Sequence, residues 1–406
     1  MAIDEPRGLE RAAYVSFLAF VAFLQVSIFV SELLLTVTAV LWAALLIRRR
    51  EGIDVPPMFW PLAAYAGATL VSAAFSVDST TSLIRCKQLL LFAIVPIAWR
   101  LMPGRRAMTA VDVIITIGAI SATIGIVQFG ILKWDDLGQR PRGSLGLYMT
   151  YSGHLMLVAC TAAARILFRN NDRVWASLVM PALIVALAVT LSRNAWVGAC
   201  VGIGFLFVIR DKRLLALLPV AAALFVALAP PTFTDRLYST FHLNEVRNGS
   251  ATTIASTASN QDRVAMFKSG LRIIKDHPFI GVGPDMVPQV YPHYRGPGAV
   301  SQLNSHLHNV PLQIAAERGL PALAIWIWFM VTLLRDFLRM RKTSAYPSLP
   351  TAALASVLAM LAAGMFEHNF GDSEILMLFL VLVTLPYAAD RARALAVPSA
   401  AGHPQA

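Results

Sequence analysis

The chain has 406 residues, of which 57% are hydrophobic and only 14% charged. A water-soluble globule carries about 25% charged residues and could not bury this much apolar surface, so an ordinary soluble enzyme is excluded. Thirty-four Lys and Arg against 23 Asp and Glu leave a net charge of +11. In such a chain the informative question is where the cations sit relative to a bilayer, and nucleic acid need not be invoked.

Apolar runs of roughly 15 to 22 residues, the length that crosses a hydrocarbon layer of about 30 Å, recur along the chain. They predict about twelve spans, near 12–30, 33–47, 58–75, 83–102, 108–132, 148–168, 174–192, 194–209, 214–230, 320–338, 350–366 and 374–389. The fold class is therefore all-α integral membrane. No small-residue cleavage site closes the first run, which reads as a retained anchor. Cys86, Cys160 and Cys200 all lie inside apolar segments without paired spacing, so neither a disulfide framework nor a zinc site is expected.

Alternate turns are rich in cations: Arg48 to Arg50, Arg100 with Arg105 and Arg106, Arg165 to Arg173, Arg210 to Arg213, Arg335 to Lys342, and Arg391 with Arg393. The excess of Lys and Arg puts these turns, and both termini, on the cytoplasmic side. The opposite turns, 31–32, 76–82 and 367–372, hold no Lys or Arg, and every histidine except His403 falls on their side. Five cations break the rule. Arg85 and Lys87 begin the fourth span, Arg140 and Arg142 precede the sixth, and Arg193 sits between the seventh and eighth. Any one of them could snorkel to headgroups. Together, on a side depleted of positive charge, they call for a compensating anion, and a phosphate would serve.

The expected organisation is 1–230 with nine spans, 231–319 as one large outer loop, 320–390 with three spans, and 391–406 as a cytoplasmic tail. The loop opens on a Ser/Thr/Asn-rich stretch, Asn248 to Asn260, too poor in apolar residues to pack. From Asp262 to Lys275 the residues Val264, Phe267, Leu271 and Ile274 share one face of a predicted helix that carries Arg263 in its first turn. A helix of this kind can also simply lie on the membrane with its cations among headgroups. Asp276-His277-Pro278 ends it, and Gly281-Val282-Gly283 turns the chain, a spacing too common to mark a phosphate loop. A second helix is predicted from Asn309, suited to the cap, to Arg318, with Gly319 stopping it. His308 precedes its N-terminus, where the helix dipole disfavours imidazolium and a neutral ring can accept a proton. A histidine so placed also often serves only as a cap or hydrogen-bonding residue.

Three fragments in this order carry a resemblance. They are Leu191-Ser192-Arg193, then Arg263 followed by His277-Pro278-Phe279-Ile280-Gly281-Val282-Gly283, then His308-Asn309-Val310-Pro311-Leu312-Gln313 with Glu317 and Gly319 behind it. Together they resemble the O-antigen ligase/polymerase family of bacterial envelope glycosyltransferases, multi-span inner-membrane proteins with one major periplasmic loop containing short helices and a fold like the GT-C type. Arg140-Pro141-Arg142-Gly143-Ser144 is similar, more loosely, to a basic stretch of that family. The resemblance implies transfer of a glycan from an undecaprenyl-pyrophosphate donor to a sugar hydroxyl of lipid A-core at the periplasmic face. Arg193 and Arg263, and more weakly Arg142 and Lys87, would hold the pyrophosphate, because a planar guanidinium fork matches phosphate oxygens and stays charged. His308 would be the base, with His306 its rival two residues away. With no Asp-x-Asp motif near that face, the expectation is a metal-independent, inverting reaction without a cofactor, whose partners are the two glycolipids and membrane lipids. A repeat-unit polymerase of the same family is the nearest alternative. A lipid-linked oligosaccharide flippase is an alternative of another class, but its usual long connection after the sixth span and its repeated halves have no counterpart in this chain.

Overall fold

The computed structural model describes residues 5–135, 139–168, 173–216, 251–296 and 299–396, and among them the regular structure is helical throughout. In chain order the α-helices are α1 (Glu5–Phe23), α2 (Ile28–Arg49), α3 (Phe59–Ala74), α4 (Ser79–Arg85), α5 (Ile94–Leu101), α6 (Arg105–Gly130), α7 (Tyr148–Phe168), α8 (Val174–Val189) and α9 (Arg193–Arg210). They continue with α10 (Ala251–Asp276), α11 (Val287–Tyr294), α12 (Val310–Thr343), α13 (Ser348–Gly364) and α14 (Ser373–Ala396). Among the described residues seven stretches are long and apolar enough to cross a membrane, α4 running through a 3-10 segment (Cys86–Ala93) into α5 as one of them, and α3, α8 and α13 are shorter apolar helices. Most of the ninth expected span, 214–230, lies outside the described residues, as does the start of the large loop.

Two helices meet where the sequence suggests one long span and a short turn. The chain reverses at 24–27, so the run 12–30 is divided between α1 and α2. Phe29, Leu33, Val37 and Val40 on α2 are exposed, which suits a helix whose outer face meets lipid rather than water. α7 is the opposite case, buried along nearly its whole length at the centre of the bundle. Beside it α9 crosses α13 closely: a Cβ at Gly198 or Gly202 would stand 2.8 Å from the carbonyl oxygen of Ala359 or Ala355 respectively. Small residues four apart on both helices let the backbones touch, the usual device for packing helices where no water drives them together. That contact fixes where the first residue of α9, Arg193, can stand.

The cation-rich turns at 48–51, 100–106 and 391 meet at one end of the bundle. There Arg49 and Arg106 pair with Glu10, Arg100 with Glu51 and Arg391 with Asp54. The other end carries a small second core, in which Met266 and Ile273 of α10 pack with Val282, Met286, Tyr291, Leu307 and Leu312. Of the predicted stripe Val264, Phe267, Leu271 and Ile274, Ile274 alone packs against this core. Val264, Phe267 and Leu271 are about half exposed, while Met266, Ser269 and Ile273 are buried. The stripe read from periodicity is real but points outward, because the helix rests on Leu307 and Leu312 through Gly270, where a larger side chain would collide. The helix also reaches back to Ala251, through a stretch too polar to be expected to order.

α12 kinks at Gly319 (φ 80°), where the expected helix stop falls, and resumes as a span. The kink frees the carbonyls of Ala316 and Glu317, and the backbone N–H groups of Val282 and Gly283 donate to them at 3.0 and 2.8 Å. Gly281-Val282-Gly283 is thus the hydrogen-bonding partner of a broken helix, which is why both glycines adopt positive φ.

Candidate functional site

The segment 305–309 reaches the site as a strained approach to the N-terminus of α12. His308 has φ 48°, a left-handed conformation that a non-glycine residue holds only when its surroundings impose it. Those surroundings are the polar residues of the following helix. Gln313 accepts from the N–H of Leu307 at 2.7 Å and donates to Glu317 at 2.7 Å, while Asn309 caps the N–H of Leu312 at 2.9 Å. Asn309 Nδ2 also donates to the carbonyl of Met365 at 3.0 Å, which ties the segment to the turn between α13 and α14.

That turn supplies Glu367, 6% exposed, which sequence reasoning passed over. One of its oxygens, Oε1, lies 2.9 Å from His306 Nε2, 2.8 Å from His308 Nδ1 and 3.1 Å from the N–H of His368. The two rings of His306 and His308 stand 4.2 Å apart. Burial alone would raise the Glu367 carboxyl, but the hydrogen bonds from His306 and His308 hold it well below the ordinary carboxylate range. Burial first, and then the charges of His306 and Arg318, push the neighbouring His368 down to about 3, so that ring is neutral. With an ionised carboxylate beneath it, His308 carries its proton on Nδ1 in the neutral ring and leaves Nε2 as the acceptor atom. The sequence did not single Glu367 out, because its turn also carries a second acid, Asp372, and shows no sign of lying beneath the two imidazoles.

The donor atoms of His306, His308 and Glu367 lie within 4.8 Å of one another, a group that could hold a metal ion. Both ring nitrogens already sit at hydrogen-bond distance from the carboxylate, so the cluster is also complete without one.

Arg193, Arg263 and His308 line one cavity of about 380 Å³, together with Glu367 and Arg140. Arg193 follows Leu191, whose φ is 55°, and the N-cap Ser192 of α9. Arg263 Nη2 is 3.7 Å from Glu367 Oε2. Arg140 stacks on the Tyr148 ring at 3.8 Å, and its charge and that of Arg263 both act on Arg193. Two buried polar atoms among the lining residues, Ser192 Oγ and Asn304 Nδ2, have no hydrogen-bond partner. Three guanidiniums around unsatisfied polar groups make a cavity suited to an anion with several oxygens. The structure does not bring the other two expected cations there. Arg142 stacks over the Trp134 ring at 4.9 Å, and Lys87 lines a separate cavity with Arg85 and Arg318.

These features define a polytopic helical membrane protein with an arginine- and histidine-lined cavity at one end of its bundle. Residues 177–327 match the family model described as O-antigen ligase, which places that stretch, with Arg193, Arg263 and His308 inside it, in the O-antigen ligase/polymerase family. The family is one of glycosyltransferase-like ligases and polymerases. No curated protein matches the chain. Glu367, Arg140 and Lys87 lie outside the matched residues.

Proposed function

We propose that the protein is an O-antigen ligase, moving a glycan from a polyprenyl pyrophosphate to a sugar hydroxyl of lipid A-core at the periplasmic face of the inner membrane. One observation carries the reading: Arg193 and Arg263 share a cavity with His308, whose ring is held by a buried carboxylate. In the reaction, the acceptor oxygen forms a bond to the anomeric carbon as the bond from that carbon to pyrophosphate breaks. The electron pair leaves on pyrophosphate, whose growing charge Arg193 and Arg263 balance, with Arg140 beside them. The hydroxyl proton passes to His308 Nε2, and Glu367 stabilises the imidazolium that results. Attack in line with the leaving group inverts the anomeric centre. No step uses a metal.

The test is a reconstituted transfer from purified donor lipid to purified lipid A-core, without ATP and with a chelator present. Wild-type protein forms the glycosidic bond, and His308→Ala loses on the order of 10² to 10⁴ of the rate while its unfolding curve is unchanged. Normal transfer by His308→Ala removes the base assignment, and loss of wild-type rate in chelator, restored by Zn²⁺, replaces the hydrogen-bonded cluster by a metal-bound one. Offering a repeat-unit donor as acceptor in place of lipid A-core separates ligase from polymerase.

A further inference from the structure

Three cavities lie along the site end of the bundle and share walls. Met149, Asn194 and Glu367 line both the arginine cavity and a second one of about 300 Å³. Asp285, Ser305, His368 and Gly371 line both that one and a third, the largest, of about 660 Å³. The three cavities therefore adjoin in series, from the one lined by Arg193, Arg263 and His308, through the one lined by His306 and Glu367, to the one lined by Lys87 and Arg318.

The far chamber is amphipathic. Lys87, Gln88 and Arg318 line it together with Leu35 and Ala39 of α2 and Ile97 of α5. Glu32, also on its wall, is seven residues above Ala39, so the chamber extends roughly 10 Å along a helix whose outer face is apolar. Two buried polar atoms among its lining residues lack a partner, Arg318 Nε and His368 Nδ1. Arg318 spends one nitrogen on Glu317 at 2.7 Å, and its side chain is only 12% exposed, so the unused Nε is a fixed, buried donor. Arg85, also on the wall, is tied to Asp285 at 2.9 Å. Its polar end holds three cations, Arg85, Lys87 and Arg318, against three acids, Glu32, Asp285 and Glu317; with Arg85 and Arg318 paired, Lys87, the unpartnered Arg318 Nε and the Gln88 amide above an apolar wall match a phosphate-bearing saccharide carried on a lipid.

We propose that this chamber seats the acceptor glycolipid, its head at Lys87, Gln88 and Arg318 and its hydrocarbon along Leu35 and Ala39. The assignment rests on reading the arginine cavity as the place of the departing pyrophosphate. An in-line displacement needs the attacking oxygen to enter opposite the leaving group, and the joining cavity is the route that delivers it there.

The experiment is two separate binding titrations on the full chain in detergent, one with lipid A-core glycolipid and one with the polyprenyl-pyrophosphate glycan, so that no turnover occurs. Lys87→Ala removes a head contact, and Thr36→Trp fills the chamber from an exposed position on α2. Both variants weaken the glycolipid by about tenfold, the equivalent of one charge-assisted contact, and leave the donor unchanged. Weakened donor binding would mean that the chamber holds the polyprenyl chain, and unchanged binding of both would mean a groove filled by any lipid; either overturns the proposal. So does equal competition by phosphatidylglycerol vesicles, which would make bulk anionic lipid the occupant, or failure of the wild type to bind the glycolipid. A wild type that binds both lipids in the expected pattern yet joins none sinks the ligase reading instead.

Discussion

Glu367 gathers three donors on one carboxylate oxygen and faces a guanidinium with the other, an arrangement that a solvent-exposed acid could not maintain. In the proposed reaction its part is to position His308 and to balance the charge that arrives with the proton. Glu367→Gln keeps the shape but replaces a charged acceptor with a neutral amide, so kcat is expected to fall roughly 10- to 1000-fold with KM for both lipids little changed. Glu367→Asp should recover part of the loss, and equal loss in both variants together with lowered thermal stability would mean that the carboxylate only holds the fold. At Arg193 the expectation concerns geometry rather than charge. Arg193→Lys retains the cation but not the planar fork, and the cost of about 1.5–3 kcal/mol for a charge-assisted hydrogen bond corresponds to a rate loss of roughly 10- to 100-fold. An unaffected Arg193→Lys variant would show that this arginine serves only as a membrane-rim cation. The base candidate and Arg193 were legible in the sequence because one precedes a helix start and the other stands against the charge rule, whereas Arg263, expected in a first turn, lies well inside α10. Glu367 was not legible, since only folding brings a turn some sixty residues downstream beneath the two imidazoles.

The elements that aim these side chains are positioned by contacts that periodicity does not reveal. α9 stands where it does because Gly198 and Gly202 admit the α13 backbone. Gly202→Leu is therefore expected to cost about 1–3 kcal/mol by overpacking, seen as a lower unfolding temperature, and to reduce transfer as Arg193 moves with its helix. A variant as stable and active as wild type would mean that the crossing does not set the site. Among the described residues seven of the expected spans correspond to helices long and apolar enough to cross a membrane, and the stop at Gly319 was legible from its glycine and proline. The orientation of α10 was not. Its most regular apolar stripe is Val264, Phe267 and Leu271, yet Met266, Gly270 and Ile273 make the contact, because close approach to Leu307 and Leu312 selects the face with the small residue. Likewise the Gly-Val-Gly segment acquires its meaning only from the kinked helix whose carbonyls it satisfies.

For the molecule as a whole, the outward stripe of α10 is an unsatisfied apolar surface, continued in kind by Phe279, which is 75% exposed. In water such a stripe is unfavourable, whereas a helix lying at the bilayer boundary buries it among acyl chains. Arg263 occupies the same helix, so the depth at which α10 rests sets the height of one wall of the arginine cavity above the lipid. A donor whose pyrophosphate sits at the headgroup level would then meet Arg263 without leaving the leaflet. Changing Val264, Phe267 and Leu271 together to Ser leaves the packing face intact, and the protein is expected to unfold at an unchanged temperature in detergent. In bilayers, however, the raised helix should increase KM for the long-chain polyprenyl donor several-fold while a short-chain, detergent-dispersed analogue is transferred as by wild type. Equal effects on both donors would place the stripe against another part of the protein and not against lipid.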